Sequence, residues 1–200
     1  PAVRGVSLSV HKGEGLGIAA IEGNGQSELL EAITGMRKIN RGKVTVCGKD
    51  ATGKTPGEIR ALGLSHVPED RLSTGVDKVA SVTDNLLVGR QKEKRFNLFG
   101  FHQRRSTVER YASELYQKFD IRGAGIRTEV GSMSGGNMQK VVVAREFSFD
   151  TPVLVISQPT RGVDVGAKAE IYEIMNELTK QGGSIIMISS ELPEIMNMAD

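Results

Sequence analysis

Four short apolar runs, separated by stretches with helical spacing, restrict the fold of this chain more than any other feature: Gly15 to Ile21, Leu64 to Val67, Val153 to Ile156 and Ser184 to Ile188. A brief run without polar alternation suits a strand buried on both faces, and such strands belong to parallel sheets whose connections are helices. Helical patterns lie between the runs. Gln26 to Thr34 carries Leu29, Leu30 and Ile33 on one side, and Thr55-Pro56 marks a helix start with proline at the first helical position. Val141 to Phe147, Gly166 to Lys180 and a segment from Leu192 complete the series. The alternation predicts an α/β chain with a mainly parallel sheet covered by helices. Val3 to Val10 and Lys43 to Cys47 read as further strands.

Residues 72–125 follow different rules. Charges alternate from Arg90 to Arg95, where Lys92 and Lys94 also lie, and Phe96, Phe99 and Phe101 cluster beside them. Arg104 to Phe119 reads as a helix with Val108, Tyr111, Leu115 and Phe119 on one face, a spacing that argues for core packing. The expected organisation is one domain over 1–200, with an α/β core at 1–71 and 126–200 and a small helical subdomain at 72–125. The Arg90–Arg95 charges read as a solvated face rather than an RNA contact.

Bulk properties narrow the function classes. With 26 basic and 24 acidic residues and a net charge of +2, the chain lacks the basic stripe of a nucleic-acid binder, so no nucleic-acid partner is expected. Cys47 is the single cysteine, which excludes internal disulfides and cysteine-rich metal sites and favours a reducing setting. His11, His66 and His102 lack a ligand spacing, and Met187, Met196 and Met198 read as core or interface filler. No apolar run approaches the roughly 20 residues needed to span a bilayer, and no signal-peptide pattern heads the chain, so a link to a membrane is expected to run through a partner. Pro1 opens directly onto a strand-like run and Asp200 closes without a turn signal, which reads as a fragment of something longer.

Three short segments carry chemistry. In Ser132-Met133-Ser134-Gly135-Gly136-Asn137-Met138-Gln139-Lys140, a hydroxyl and two glycines precede an apolar helix, so backbone N–H groups and a positive dipole end can face a phosphate. Ala20-Ile21-Glu22-Gly23-Asn24-Gly25-Gln26-Ser27 follows a strand and opens a helix, the context of a P-loop. Against G-x-x-x-x-G-K-[ST], Gly25 and Ser27 fit, Ala20 replaces the first glycine, and Gln26 replaces the lysine. On this segment alone a ligand-free turn accounts for the residues equally well. Val153 to Ile156 then runs into Ser157-Gln158-Pro159-Thr160. Ser157 cannot offer a negative charge to a metal, and Gln158 has the shape of glutamate without its proton affinity. Taken alone, this stretch reads better as a strand-to-loop exit than as a catalytic site.

The order of these segments resembles the ABC-transporter ATPase domain over nearly the whole chain. The resemblance implies a P-loop NTPase-like fold with an antiparallel N-terminal β portion and a small helical subdomain. It also implies ATP and Mg²⁺ as ligands, the metal bound weakly or supplied by a partner. Gly23, Asn24, Gly25, Gln26, Ser27 and Glu28 become the nucleotide loop, with Ser27 a weak magnesium ligand. Glu69, in Val67-Pro68-Glu69-Asp70-Arg71, falls at the Q-loop glutamine; Ser157 at the Walker B aspartate; Gln158 at the glutamate that polarises water; Asp164 in the D-loop; Ser190 at the switch histidine. Ser134, Gly135, Gly136 and Asn137 form the signature loop, which in this family caps the ATP of an opposing domain. With lysine, aspartate, glutamate and histidine all replaced, no catalytic residue is assigned and hydrolysis at the chain's own loop is expected to be deficient.

Gly-Asn-Gly-Gln, Val-Pro-Glu-Asp-Arg and Gln-Pro-Thr-Arg-Gly-Val-Asp resemble the second domain of importer ATPases that carry two ABC domains in tandem and take up nucleosides or simple sugars. The partners so implied are the first ABC domain of the same polypeptide, two transmembrane permease subunits and, indirectly, an extracytoplasmic solute-binding protein, at the cytoplasmic face of a bacterial membrane. In this family the helical subdomain and Q-loop receive the permeases. Alternatives are an ABC ATPase acting on ribosomes or DNA, and a nucleotide-sensing regulatory domain.

Overall fold

The computed structural model describes residues 3–21, 23–99 and 102–199. Along the chain run β1 (Gly15–Ala19), α1 (Gln26–Thr34), β2 (Thr45–Val46), β3 (Lys49–Asp50), α2 (Pro56–Leu62), β4 (Leu64–Val67), a π-helical turn (Arg71–Gly75) and α3 (Val82–Leu87). There follow β5 (Asn97–Leu98), β6 (His102–Gln103), α4 (Arg105–Lys118), a 3₁₀ turn (Val130–Ser132), α5 (Gly135–Phe147), β7 (Val153–Ser157), α6 (Val165–Lys180), β8 (Ser184–Ser189) and α7 (Leu192–Met198). The chain forms two compact units. The first comprises Pro1–Glu69, Asp150–Arg161 and Lys168–Asp200; the second comprises Asp70–Phe149 and Gly162–Ala167. Residues 72–125 fall inside the second unit, which also takes in α5.

The first unit is built on a parallel sheet in the order β1-β8-β7-β4. Each parallel pairing needs a crossover connection, and α1, α2 and α6 lie between strands in sequence. Every residue of β8 is buried, and so are the last four of β7, which is why these strands read as unbroken apolar runs. Ile186 and Ile188 of β8 and Val155 of β7 join Leu30 of α1 and Ile59 of α2 in one core, while α7 packs against β1 and β8. A capping box starts α2: Thr55 Oγ1 accepts from the Glu58 N–H, and Glu58 Oε2 accepts from the Thr55 N–H at 2.8 Å.

Two expected strands differ. Lys43 to Cys47 contracts to β2, paired antiparallel with β3 through a turn at Cys47 and Gly48, both at positive φ as a type I′ hairpin demands. Residues 3–10 form no strand; Val6 and Leu8 are exposed. Apolar content cannot make a ladder where no strand supplies hydrogen bonds, and among the described residues none pairs with this segment.

In the second unit α3, α4 and α5 pack on one another. Leu87, Phe96 and Val108 form one small core cluster with Tyr111 against it, the Phe96 and Tyr111 rings lying 4.9 Å apart. The expected phenylalanine cluster divides: Phe96 is buried, Phe99 is 87% exposed, and Phe101 lies outside the described residues. Nor is the charged stretch wholly a solvated face. Arg90 is buried, stacks over Phe149 at 4.3 Å, donates to Glu93 at 2.7 Å and bonds the Ser148 carbonyl. Its stem and planar head serve as packing material while the carbonyl and carboxylate take up its terminal donors; Nε has no hydrogen-bond partner among the described residues. Among the described residues no helix is long and apolar enough to cross a membrane.

Candidate functional site

The Gly-rich turn between β1 and α1 is occupied by its own side chains. Gln26 is buried, and its Oε1 accepts the backbone N–H of Asn24 at 3.0 Å. The amide oxygen therefore takes a donor that a phosphate oxygen would otherwise meet. Ser27 Oγ donates to Glu69 Oε2 at 3.2 Å, and Glu69 Oε1 receives Arg161 Nη1 at 3.1 Å. Three residues thus converge: the loop hydroxyl of Ser27, Glu69, which the sequence reading set at the Q-loop position, and the Arg161 cation from the stretch after β7. Gly25 stands at the helix N-cap with left-handed backbone and no side-chain cap, and Glu28 lies in the first turn, where a carboxylate suits the helix dipole. Glu22 lies outside the described residues. Sequence reasoning missed Arg161 and the inward fold of Gln26, because pairs separated by 92 positions, or turned back on their own loop, leave no periodic signal.

At the end of β7, Ser157 is fully buried and its Oγ has no hydrogen-bond partner among the described residues. Gln158 adopts positive φ (48°), and its Oε1 accepts from both the N–H and the hydroxyl of Ser190, at 3.3 and 3.2 Å. The two residues predicted to stand for a glutamate and a histidine are therefore bonded to one another. The segment after β8 is fixed on two further sides. Glu194, buried, accepts from Thr160 Oγ1 at 3.0 Å and from Ser189 Oγ, while Lys168 Nζ reaches Glu191 at 3.1 Å. Burial pushes the Tyr172 phenol above its ordinary range, and hydrogen bonding and charge from Glu194 act in the same direction.

In the second unit Ser134 caps α5. Its Oγ accepts from the Asn137 N–H at 3.4 Å and from Asn137 Nδ2 at 3.0 Å, so the hydroxyl proton is the capacity left for an outside acceptor. Asn137 Oδ1 in turn accepts the Arg122 N–H at 2.6 Å. Gly135 and Gly136 bring first-turn N–H groups that α5 itself cannot pair. The Asp164 carboxylate lies beside Gly136 and accepts the Ala167 N–H at 3.1 Å; that bond, foremost among several from backbone, holds its carboxyl below the usual range. Arg71 reaches the Gly162 carbonyl at 3.2 Å. The same unit carries an open groove of about 590 Å³ lined in part by Leu72, Val76, Val79, Val88 and Arg145. Sequence reasoning singled out neither Arg71 nor the groove.

Comparison with known proteins bears on these loops. The sequence profile of a family described as ABC transporter matches residues 3–161. The chain is 39% identical over 198 residues to the nucleoside import ATP-binding protein NupA of Lactococcus lactis subsp. cremoris, covering 99% of this chain and 39% of that protein. It is 44% identical over 195 residues to the ribose import ATP-binding protein RbsA of Halalkalibacterium halodurans, covering 97% of this chain and 38% of that protein. The chain thus spans less than half the length of these curated relatives. Among solved structures, a nucleotide-free ATP-binding cassette from an ABC transporter superposes with a TM-score of 0.81 at 26% identity, covering 100% of this chain and 79% of that one.

Proposed function

The chain belongs to the ABC transporter family, and we propose that it is the ATP-binding domain of a bacterial importer for nucleosides or simple sugars, second of two tandem domains. In this reading its own phosphate loop is degenerate, and the Ser134 loop completes the ATP site of the first domain. The substrate class is supported by relatives named for nucleoside and ribose import, and the tandem arrangement by the share of those proteins that the chain spans.

One observation carries the proposal: the two loops differ in what remains to meet a phosphate. In the Gly23–Glu28 loop the Asn24 N–H and the Ser27 hydroxyl are engaged by Gln26 and Glu69. Gln26 brings no cation, Ser157 no carboxylate, and Gln158 cannot take a proton from water. Gly23, Asn24, Gly25, Gln26, Ser27 and Glu28 would hold ATP as a weak or static ligand, with Ser27 the hydroxyl nearest a magnesium ion. In the Ser134 loop the hydroxyl proton and the N–H groups of Gly135 and Gly136 remain to donate, on a helix of 13 residues whose dipole favours an anion. Bound ATP supplies the phosphoryl group whose transfer to water drives transport. Ser134, Gly135, Gly136 and Asn137 orient and stabilise that group's charge from across the domain interface, and Asp164 faces the same neighbour.

The groove at Leu72, Val79 and Val88 offers exposed apolar side chains for a cytoplasmic segment of a permease. Two permease subunits, and through them an extracytoplasmic solute-binding protein, are the partners proposed, with the domain at the cytoplasmic face of the membrane. The test is ATP turnover by the full-length protein. Ser134→Ala is expected to lower turnover by about 10²–10³, the cost of one preorganised donor at a developing charge. Ser27→Ala is expected to change it less than about twofold, since a site without a general base contributes little. Loss of turnover with Ser27→Ala alone, and none with Ser134→Ala, would reverse the assignment.

A further inference from the structure

We propose that Arg71 is a positioning residue that clamps the Ser134 loop to the Gly162–Ala167 segment, so that both present themselves to the neighbouring ATP as one block. The inference rests on the reading of the Ser134 loop as a donor in trans and goes beyond it by naming what holds the donor in register.

The Arg71 backbone is itself held. It opens the π-helical turn, whose N-cap Asp70 accepts from the Leu72 and Ser73 N–H groups at 2.9 and 3.2 Å and from Ser73 Oγ at 2.6 Å; the turn closes with the Val76 N–H on the Arg71 carbonyl at 2.9 Å. From that base the guanidinium enters a slot between two glycines. It donates to the Gly162 carbonyl at 3.2 Å. A β-carbon on Gly135 would stand 2.8 Å from Arg71 Nη2 and 3.3 Å from the Gly162 carbonyl oxygen, and one on Gly162 would stand 3.1 Å from the same nitrogen. Gly162 also has φ of 63°, which a side chain would strain.

The clamp joins consequential pieces. Gly135 is the first residue of α5, beside the Ser134 cap, while Gly162 leads into Val163 and Asp164, and Val163 and Ala167 lie against Gly136. Arg71 thus sets the spacing between the first-turn N–H groups of α5 and the Asp164 carboxylate. A planar fork both fills the slot beside Gly135 and Gly162 and donates to the Gly162 carbonyl, which the point charge of an ammonium does not.

The test is a double-mutant cycle in the full-length protein with Arg71→Ala, Gly135→Ala and both together, read as kcat and KM for ATP and as thermal unfolding. Arg71→Ala is expected to lower kcat about tenfold or more, within the roughly hundredfold that a misplacement of about 1 Å can cost, with KM changed less than twofold. Gly135→Ala displaces the same guanidinium, so the double variant should be little worse than the poorer single. Arg71→Lys should fail to restore kcat. Independent, multiplicative losses, or full activity in Arg71→Lys, would overturn the clamp. If Arg71→Ala is silent while Ser134→Ala abolishes turnover, the clamp fails and the loop reading stands. If Ser134→Ala and Gly135→Ala are silent in turnover, the loop reading fails; the clamp is then judged by whether the two substitutions at 71 and 135 couple in unfolding temperature. Hydrogen exchange over 162–167 in Gly135→Ala, expected to rise at least tenfold, checks the clamp even where Arg71→Ala does not fold.

Discussion

Removing the Ser157 hydroxyl should stabilise this protein. Ser157 ends β7 fully buried, paired in the ladder with Ile188, and its Oγ finds no partner among the described residues. In the unfolded chain that hydroxyl bonds to water, so folding strips it without replacement, at a cost of about 1–3 kcal/mol. Ser157→Ala removes one oxygen atom and leaves a void smaller than a methyl group, which returns somewhat under about 1 kcal/mol of the gain. The net expectation is a stabilisation of about 1 kcal/mol, or a rise in Tm of about 2–4 °C for a chain of this size. Equilibrium urea unfolding with calorimetry reads both values. A loss of more than about 0.5 kcal/mol, beyond the scatter of an inert substitution, would show that the hydroxyl is satisfied and refute the reasoning. Ser157→Asp, which restores the residue type the family resemblance leads one to expect, should instead cost several kcal/mol, because it buries a carboxylate at a position where the serine hydroxyl finds no hydrogen-bond partner among the described residues.

Other perturbations follow from the same geometry. Glu69→Gln should leave stability within about 1 kcal/mol, since its bond to the half-exposed Arg161 is worth little. It should raise the affinity of the Ser27 loop for Mg-ADP, and an unchanged fluorescence titration would exclude Glu69 as a competitor for phosphate. The Asp70 carboxyl is held below its ordinary range, first by the Ser73 hydroxyl and then by backbone N–H groups. The stability it contributes is therefore complete above the unfolded value near 3.9 and lost as pH falls through the lower folded value. Asp70→Asn should flatten the acid limb of a stability profile below about pH 4, and an unaltered limb would refute the linkage. Phe96→Ala should cost about 3–5 kcal/mol and Phe99→Ala less than about 0.5 kcal/mol in urea unfolding; equal costs would contradict the division of the phenylalanine cluster.

Local pattern foretold the larger elements well. The four apolar runs became the four strands of the parallel sheet, since a strand buried on both faces must be apolar at every position. Gln26 to Thr34 and Gly166 to Lys180 appear as helices within a residue of the expected ends, and Thr55 caps α2. Residues 3–10 failed the same reasoning because a strand exists only with a neighbour to pair. Arg90 failed it because alternating charge does not reveal which side chain a pair of aromatic rings will cover.

For the candidate site the division falls between residue type and partnership. Sequence alone determined the residue types, uncharged at Gln26, Ser157, Gln158 and Ser190, where the family resemblance leads one to expect charged or titratable groups, and that Ser134-Gly135-Gly136 opens a helix. Those are matters of composition and short spacing, written along the backbone. Tertiary structure alone decided that Gln26 fills its own loop, that Glu69 joins Ser27 to Arg161, that Gln158 binds Ser190, and that Arg71 lies against Gly135 and Gly162. Most of these contacts join residues tens of positions apart, and folding brings together such pairs by burying apolar surface elsewhere. Nothing in the local spacing of either partner carries that information.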